Sequence, residues 1–264
     1  MKHPVETMSA SKDPDPASTT RLLTWNLNHR AKRRPIHDWI ATEIAERHPH
    51  VAVLTEYVEG PDHERFCQEL AAQGLTSQLA SRGAAGHNQI LIGARTQLYV
   101  IPVLDPGIHA AVPSNFLHSV GADGLHVIGF RMPAFKSPDR ALKRKTWNWL
   151  IQYCRPLESQ PTILLGDFNT ADGDSPAYCG DCLDALSDLG WHRVTPAGHS
   201  WTSGKTGGER SIDHAFLSPA LKLNRATYDW DFQVRWRESA SQRVGIPDHA
   251  MLVVDVDLDL REDA

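Results

Sequence analysis

Carboxylates, amides and one histidine stand at or just beyond the ends of apolar runs in this chain. Asn26 and Asn28 close Leu22-Leu23-Thr24-Trp25-Asn26-Leu27-Asn28, and Glu56 closes Val51-Ala52-Val53-Leu54-Thr55-Glu56. Asp167 and Asn169 follow Ile163-Leu164-Leu165-Gly166, and two later pieces read Ser211-Ile212-Asp213-His214 and Pro247-Asp248-His249. Hard oxygen ligands grouped with amides and a histidine are what a divalent cation and a phosphate ester require. The chemistry they point to is metal-dependent phosphoester hydrolysis. One Asp or Asn after a buried strand is more often a turn former or a helix cap. Recurrence at five places in one chain is what separates this pattern from ordinary turns.

Elements that hold such residues are readable from periodicity. Ile36, Trp39, Ile40 and Ile44 fall at helical spacing after Pro35 and predict a helix to about Arg47. Residues 51–55 predict a buried strand, as do residues 162–165. Ser137-Pro138 supplies an N-cap and a first-turn proline for a helix through Leu142, Thr146, Trp149 and Leu150, stopped by Pro156. Residues 183–189 read as a short helix closed by Gly190, and residues 211–217, 221–230 and 251–258 as strands. Strands alternating with helices and hairpin-like pieces imply a mixed α/β class with much antiparallel pairing.

The 264 residues, 41% of them hydrophobic, are enough to bury a sizeable core. Residues 21–260 are read as a single catalytic domain. Residues 1–20 carry Pro4, Pro14 and Pro16 among Ser, Asp and Lys without apolar periodicity, and are expected to be a disordered tail. The chain shows neither the apolar stretch of a signal peptide nor a run of about 18 apolar residues. A cytoplasmic protein without stable membrane association is therefore expected. Cys67, Cys154, Cys179 and Cys182 are too few and too uneven for a disulfide framework. Cys179 and Cys182 form a CxxC, but a structural zinc needs a second such pair or spaced histidines. A loop leading into a helix is the expectation there.

Taken in order, the WNLN at 25–28, the LTE at 54–56, the LLGDFN at 164–169, the SIDH at 211–214 and the IPDH at 246–249 resemble the endonuclease/exonuclease/phosphatase superfamily, the deoxyribonuclease I-like fold. The resemblance covers about residues 22–257. It implies a four-layer α/β/β/α sandwich, in which two mixed sheets pack face to face with helices outside and the active site lies at one rim.

Roles follow from the chemistry and from that resemblance together. Glu56, rigid at a strand end, is the best metal ligand, because Mg²⁺ prefers a few carboxylates and retained waters. Mn²⁺ is the alternative ion. Asn26 would bond the metal shell or a phosphate oxygen, and Asn28, two residues on, would share its face and contact substrate. Some family members carry Asp where Asn28 stands, which weakens a two-metal proposal. Asp167 and Asn169 look like the pair that orients or deprotonates the attacking water and holds the phosphate. His249 with Asp213 resembles the family's histidine and its orienting carboxylate, acting either as imidazolium or as neutral base. Asp248 belongs with the metal or its waters. His214 should point to the opposite face from Asp213. Where the family often carries His or Asn at the end of the strand over 125–133, this chain has Gly129-Phe130-Arg131-Met132. Arg131 cannot be a base but can clamp phosphate oxygens. His118 and His126 are read as structural, and Trp147, Trp149 and Trp201 are given no function.

Net charge of −5 and a pI near 6.3 do not advertise a protein that coats nucleic acid. Local charge does. Arg30, Lys32, Arg33 and Arg34 follow the Asn26/Asn28 segment, and Lys136, Arg140, Lys143, Arg144 and Lys145 follow Arg131. A Mg²⁺-dependent nuclease on DNA or RNA is the first reading. A phosphoinositide, sphingomyelin or other small phosphoester is the second, and a catalytically dead binding module the third. Abasic-site repair is disfavoured, since Gly207-Gly208-Glu209-Arg210-Ser211 stands where those enzymes carry a tryptophan-bearing loop. Residues 106–116 and 195–210 are expected to shape the pocket. If Arg33 and Arg34 contact phosphates, neutralising both lowers the slope of log K against log salt by roughly one to two units. A slope equal to wild type in a binding titration would return them to a solvated surface.

Overall fold

Every residue of Val51-Ala52-Val53-Leu54 is apolar, so a strand there needs cover on both faces. The structure, a computed structural model, describes residues 19–28, 36–83, 87–135, 138–236 and 247–258. In chain order its elements are β1 (Thr19–Asn26), α1 (Trp39–Glu46), β2 (Val51–Tyr57), α2 (His63–Ala72), β3 (Ser77–Ala80), β4 (Gln89–Ala94), β5 (Leu98–Val100), α3 (Ala111–Ser114), β6 (Phe116–Gly121), β7 (His126–Arg131), α4 (Arg140–Cys154), β8 (Thr162–Asp167), α5 (Asp181–Ser187), β9 (His192–Val194), β10 (Trp201–Thr202), β11 (Glu209–Arg210), β12 (Asp213–Leu217), β13 (Leu221–Asp229), α6 (Asp231–Trp236) and β14 (Met251–Leu258).

Two six-stranded sheets run β13-β14-β1-β2-β4-β3 and β5-β6-β7-β8-β12-β9, with β10-β11 as a separate ribbon. At the middle of each sheet lies one parallel pair, β1 with β2 and β7 with β8, while the other paired neighbours are antiparallel. Parallel neighbours need a crossover, and α1 and α4 lie within the two crossovers.

Period-two alternation then sorts the side chains into layers. Val51 and Val53 of β2 meet Ile163 and Leu165 of β8 in a core between the sheets. Ala52 and Leu54 face the other way, onto Ile40 and Ile44 of α1 and Phe66 and Leu70 of α2. Leu164 likewise packs outward, with Trp147 and Leu150 of α4 and Leu183 and Leu186 of α5. Helices, sheet, sheet and helices are the expected α/β/β/α sandwich. Among the described residues no helix is long and apolar enough to cross a membrane.

Local readings held with shifted ends. Met251–Leu258 is a strand as read, whereas β1 starts at Thr19, inside the stretch expected to be tail. Residues 1–18 lie outside the described residues. The long helix starts at Arg140 behind a turn at Pro138 and Asp139, two residues later than the proline implied, and Ser137 lies outside the described residues. Asp139 takes the N-cap position without a side-chain cap bond. Cys179 and Cys182 are buried and form no disulfide, Cys179 in the turn ahead of α5 and Cys182 in its first turn. His118 is buried, bonded to Tyr153 and His126.

Gly166 sets the spacing of the central pair of the second sheet. Its φ is +146°, and a Cβ there would lie 1.9 Å from the Phe130 carbonyl oxygen. Gly166→Ala is expected to cost more than about 3 kcal/mol, the sum of a glycine-only backbone region and a backbone clash. Urea denaturation showing a loss under about 1 kcal/mol would contradict this geometry.

Candidate active site

Strand direction decides which residues meet. β1 and β2 run parallel with Asn26 opposite Thr55, and β7 and β8 run parallel with Arg131 opposite Asp167. Asn26, Arg131 and Asp167 are the last residues of their strands, and Glu56 is next to last in β2. β12 runs against β8, so it begins at the same level with Asp213 opposite Asp167. β14 runs against β1, so His249, two residues ahead of it, is brought level with the end of β1. Six of the residues singled out in the sequence therefore share one rim.

Asp167 is almost fully buried and tightly held. Oδ1 accepts the Asn169 backbone N–H at 2.9 Å. Oδ2 accepts the amides of Asn26 at 3.0 Å and Asn169 at 3.1 Å. Asn169 reaches this position in the left-handed region, φ 47°, with its amide also on the Met132 carbonyl. Burial pushes the Asp167 carboxyl up and the charges of His249 and Arg131 pull it back, while Asp213 and Glu56 push it up again, leaving it at about 6.

His249 Nδ1 lies 2.7 Å from Asp213 Oδ2. Burial alone would lower the imidazole, but the Asp213 charge and hydrogen bond, joined by Asp167 and Asp248, raise it to about 9. The ring is thus an imidazolium at neutral pH, donating from Nδ1 to the carboxylate. Its backbone carbonyl accepts the Trp25 indole N–H, which fixes it against β1. Asp213 is aimed by Ser200, whose hydroxyl oxygen accepts the N–H groups of Ile212 and Asp213. Asp248 Oδ2 accepts the Trp201 indole N–H at 3.3 Å, while Oδ1 is buried without a hydrogen bond, 3.9 Å from His249 Nε2.

Glu56 stands in a bulge. From Leu54 to Tyr57 β2 steps three residues while β4 steps two, from Leu91 to Gln89, and Glu56 takes φ 51°. Its Oε1 accepts Arg131 Nη2 at 2.6 Å. Arg131 Nε lies 3.7 Å from Asp167 Oδ2 and makes no hydrogen bond.

Among the described residues, the buried Glu56, Asp167 and Asp213 and the half-buried Asp248 stand within ion-pair distance of Arg131 and His249. That surplus of buried negative charge, and the orphaned Asp248 Oδ1, fit a hard divalent cation. Asp167, Asp213 and His249 also place one ligand atom each within 4.8 Å of one another. A proton on His249 and an ion in that nest exclude each other, since a ligating imidazole must be neutral.

Other expectations are corrected. Asn28 does not continue the strand face of Asn26: β1 ends at Asn26, and Asn28 sits in the left-handed region, φ 51°, its N–H on Asn26 Oδ1. The basic run of α4 is divided: Lys143 and Arg144 are engaged by other groups of the protein, while Arg140 and Lys145 are exposed. Lys143 is buried, donating to the carbonyls of Asn169 and Tyr178, and Arg144 pairs with Asp181. Arg140 stays exposed over the Tyr178 ring at 4.9 Å. Lys136 and the cluster Arg30, Lys32, Arg33 and Arg34 lie outside the described residues. His214 turns away as read, to the Thr170 carbonyl. Sequence reasoning missed Ser200 and gave Trp201 no function, since no periodicity ties either to the site. The one available signal was their place in the 195–210 segment expected to shape the pocket.

A model of the endonuclease/exonuclease/phosphatase family matches residues 23–243. Among solved structures the chain is similar to an AP endonuclease from Archaeoglobus fulgidus, at 17% identity and TM-score 0.68, covering 89% of this chain and 98% of that one. It is similar also to a 3'-5' exonuclease from Neisseria meningitidis, at 19% and 0.65, covering 90% and 100%. A Neisseria 3' phosphatase bound to a product DNA hairpin aligns at 18% and 0.62, covering 89% and 98%. Comparison with curated proteins finds no significant match.

The two shifted groups define a pH window. Activity that needs Asp167 ionised and His249 protonated rises as pH passes about 6 and falls above about 9. Asp213→Asn should bring the alkaline limb down by at least about one pH unit, because it removes the main group holding the proton on His249. An alkaline limb unmoved in the variant's kcat/KM profile would detach His249 from it.

Proposed function

The chain belongs to the endonuclease/exonuclease/phosphatase family of phosphoric ester hydrolases, and on that premise we propose that it is a Mg²⁺-dependent phosphodiesterase that hydrolyses DNA or RNA. The observation that carries this is the buried rim cluster in which Asn26, Asp167, Asp213 and His249 are linked by hydrogen bonds. Asp167 is the base. A carboxyl near 6 is ionised at neutral pH yet basic enough to take a proton from water, and its three hydrogen bonds fix the direction of approach. Asn26 and Asn169 hold that carboxylate and offer their remaining polar atoms to water and phosphate. His249, protonated and oriented by Asp213, presents Nε2–H to charge that develops on the phosphoryl oxygens. Arg131, with its Nε unpartnered, clamps a phosphate oxygen, and Asn28 contacts the substrate beside it.

Glu56, Asp248 and Asn26 would hold the divalent ion, Mg²⁺ or in its place Mn²⁺. When bound, it supplies Lewis-acid neutralisation of the phosphoryl oxygens.

The exposed Arg140–Tyr178 pair favours a polymer. Lys143 links it to the site by bonding the carbonyls of both Asn169 and Tyr178, and a stacked arginine over an exposed ring suits a nucleobase and its phosphate. One observation favours the second reading, a small or lipid phosphoester. Lys143 is buried on two carbonyls and Arg144 is paired with Asp181 at the surface, so α4 offers a backbone fewer free cations than its sequence implies.

A substrate panel with and without Mg²⁺ or Mn²⁺ separates the two: plasmid and single-stranded DNA, RNA, an abasic duplex, a phosphoinositide and a chromogenic diester, each beside Asp167→Asn. Metal-dependent cleavage of a nucleic acid, reduced about 10²–10⁴-fold in Asp167→Asn and His249→Ala, is expected. Turnover of the small or lipid esters alone would move the protein to the second reading. Silence throughout would make it a binding module.

A further inference from the structure

We propose that Arg131 is the resident counter-ion of Glu56 and that a divalent cation reaches Glu56 only in competition with it, so that this arginine sets the affinity and occupancy of the metal site. This rests on the reading of Glu56 as a metal ligand.

Three observations carry it. First, the guanidinium bonds the carboxylate at 2.6 Å, with Glu56 1% and Arg131 7% exposed. A buried carboxylate requires a counter-charge, and here the chain supplies it covalently. Second, the arginine's own position is fixed. Its backbone N–H donates to the Asn115 carbonyl, and as the last residue of β7 it lies opposite Asp167. The guanidinium is therefore held between Glu56 and Asp167 by the strand it ends. Third, Nε is buried, 3.7 Å from Asp167 Oδ2, and lacks a hydrogen bond. The guanidinium is thus satisfied on the Glu56 side and unsatisfied on the other.

Two positive charges on one carboxylate oxygen in a water-poor site repel strongly. An incoming ion must displace the Nη2 contact or share Glu56 with it, and either lowers its affinity. Once displaced, the guanidinium keeps its place beside Asp167, where a substrate phosphate can take it. Metal entry and phosphate binding are thereby coupled through one side chain.

The test is Mn²⁺ binding to the purified full-length protein without substrate, read from the electron paramagnetic resonance of free Mn²⁺. Arg131→Gln should bind at least about tenfold more tightly than wild type, while Arg131→Lys, which keeps the charge, should stay within about threefold. The gain should vanish in Glu56→Gln/Arg131→Gln. Equal or weaker binding by folded Arg131→Gln overturns the proposal, as does a gain that survives the loss of Glu56. Should Arg131→Gln fold only with an ion, its melting temperature must rise with Mn²⁺ by more than that of wild type, and an equal rise overturns the proposal. If Mn²⁺ binds wild type and Glu56→Gln alike, the ion sits elsewhere, and the reading of Glu56 falls with the proposal. The hydrolytic reading, tested by the substrate panel, is untouched by these outcomes.

Discussion

Three polar pairs tie the two sheets together at one rim, each with a partner from either side. Asn26 of β1 meets Asp167 of β8, Glu56 of β2 meets Arg131 of β7, and His249 ahead of β14 meets Asp213 of β12. Below them the inter-sheet space is apolar, filled by Val53, Ile90, Ile163, Leu165 and their neighbours. A polar group at the edge of such a core must be paired, and here each of these pairs is closed across the gap between the sheets. The site is therefore the polar closure of the core. A one-residue slip of β1 or β8 against its ladder neighbours would turn that strand's facing side chains over and break the Asn26–Asp167 pair.

That closure also explains why the cluster holds opposite shifts side by side. Asp167 rises because burial outweighs its cationic neighbours, and His249 rises because its acidic neighbours outweigh burial. A near-neutral base and a persistent acid arise from one pocket of low dielectric, distinguished only by which charges stand closest. The hydrogen-bond network through Ser200, Trp25 and Trp201 gives that difference a fixed geometry.

How much of this the sequence shows depends on the range of the cause. Strand ends at Asn26, Glu56 and Asp167 were legible because apolar periodicity stops where a polar side chain begins. The layer order came by resemblance, since apolar runs alone do not say which sheet they join. The Glu56–Arg131 ion pair was not legible, because it joins residues 75 apart across different sheets. Charge in α4 was legible but its use was not: Lys143 looks like a surface cation in a basic run, and only the fold shows two carbonyls waiting beneath it. Asn28 was misread for a local reason, as a residue two beyond Asn26 shares its face only while the strand continues. The four strands within residues 77–121 went unread, because they have only three to six residues and β3 and β5 lie at sheet edges.

Asn28, Glu56 and Asn169 all adopt left-handed backbone, and all three lie at this rim. Asparagine tolerates that region well, but glutamate does so at about 1 kcal/mol or more. Position 56 is thus a place where backbone and side chain prefer different residues. Asparagine or glycine there would relax the bulge but leave the buried Arg131 guanidinium without the Glu56 carboxylate, a loss that outweighs the relief.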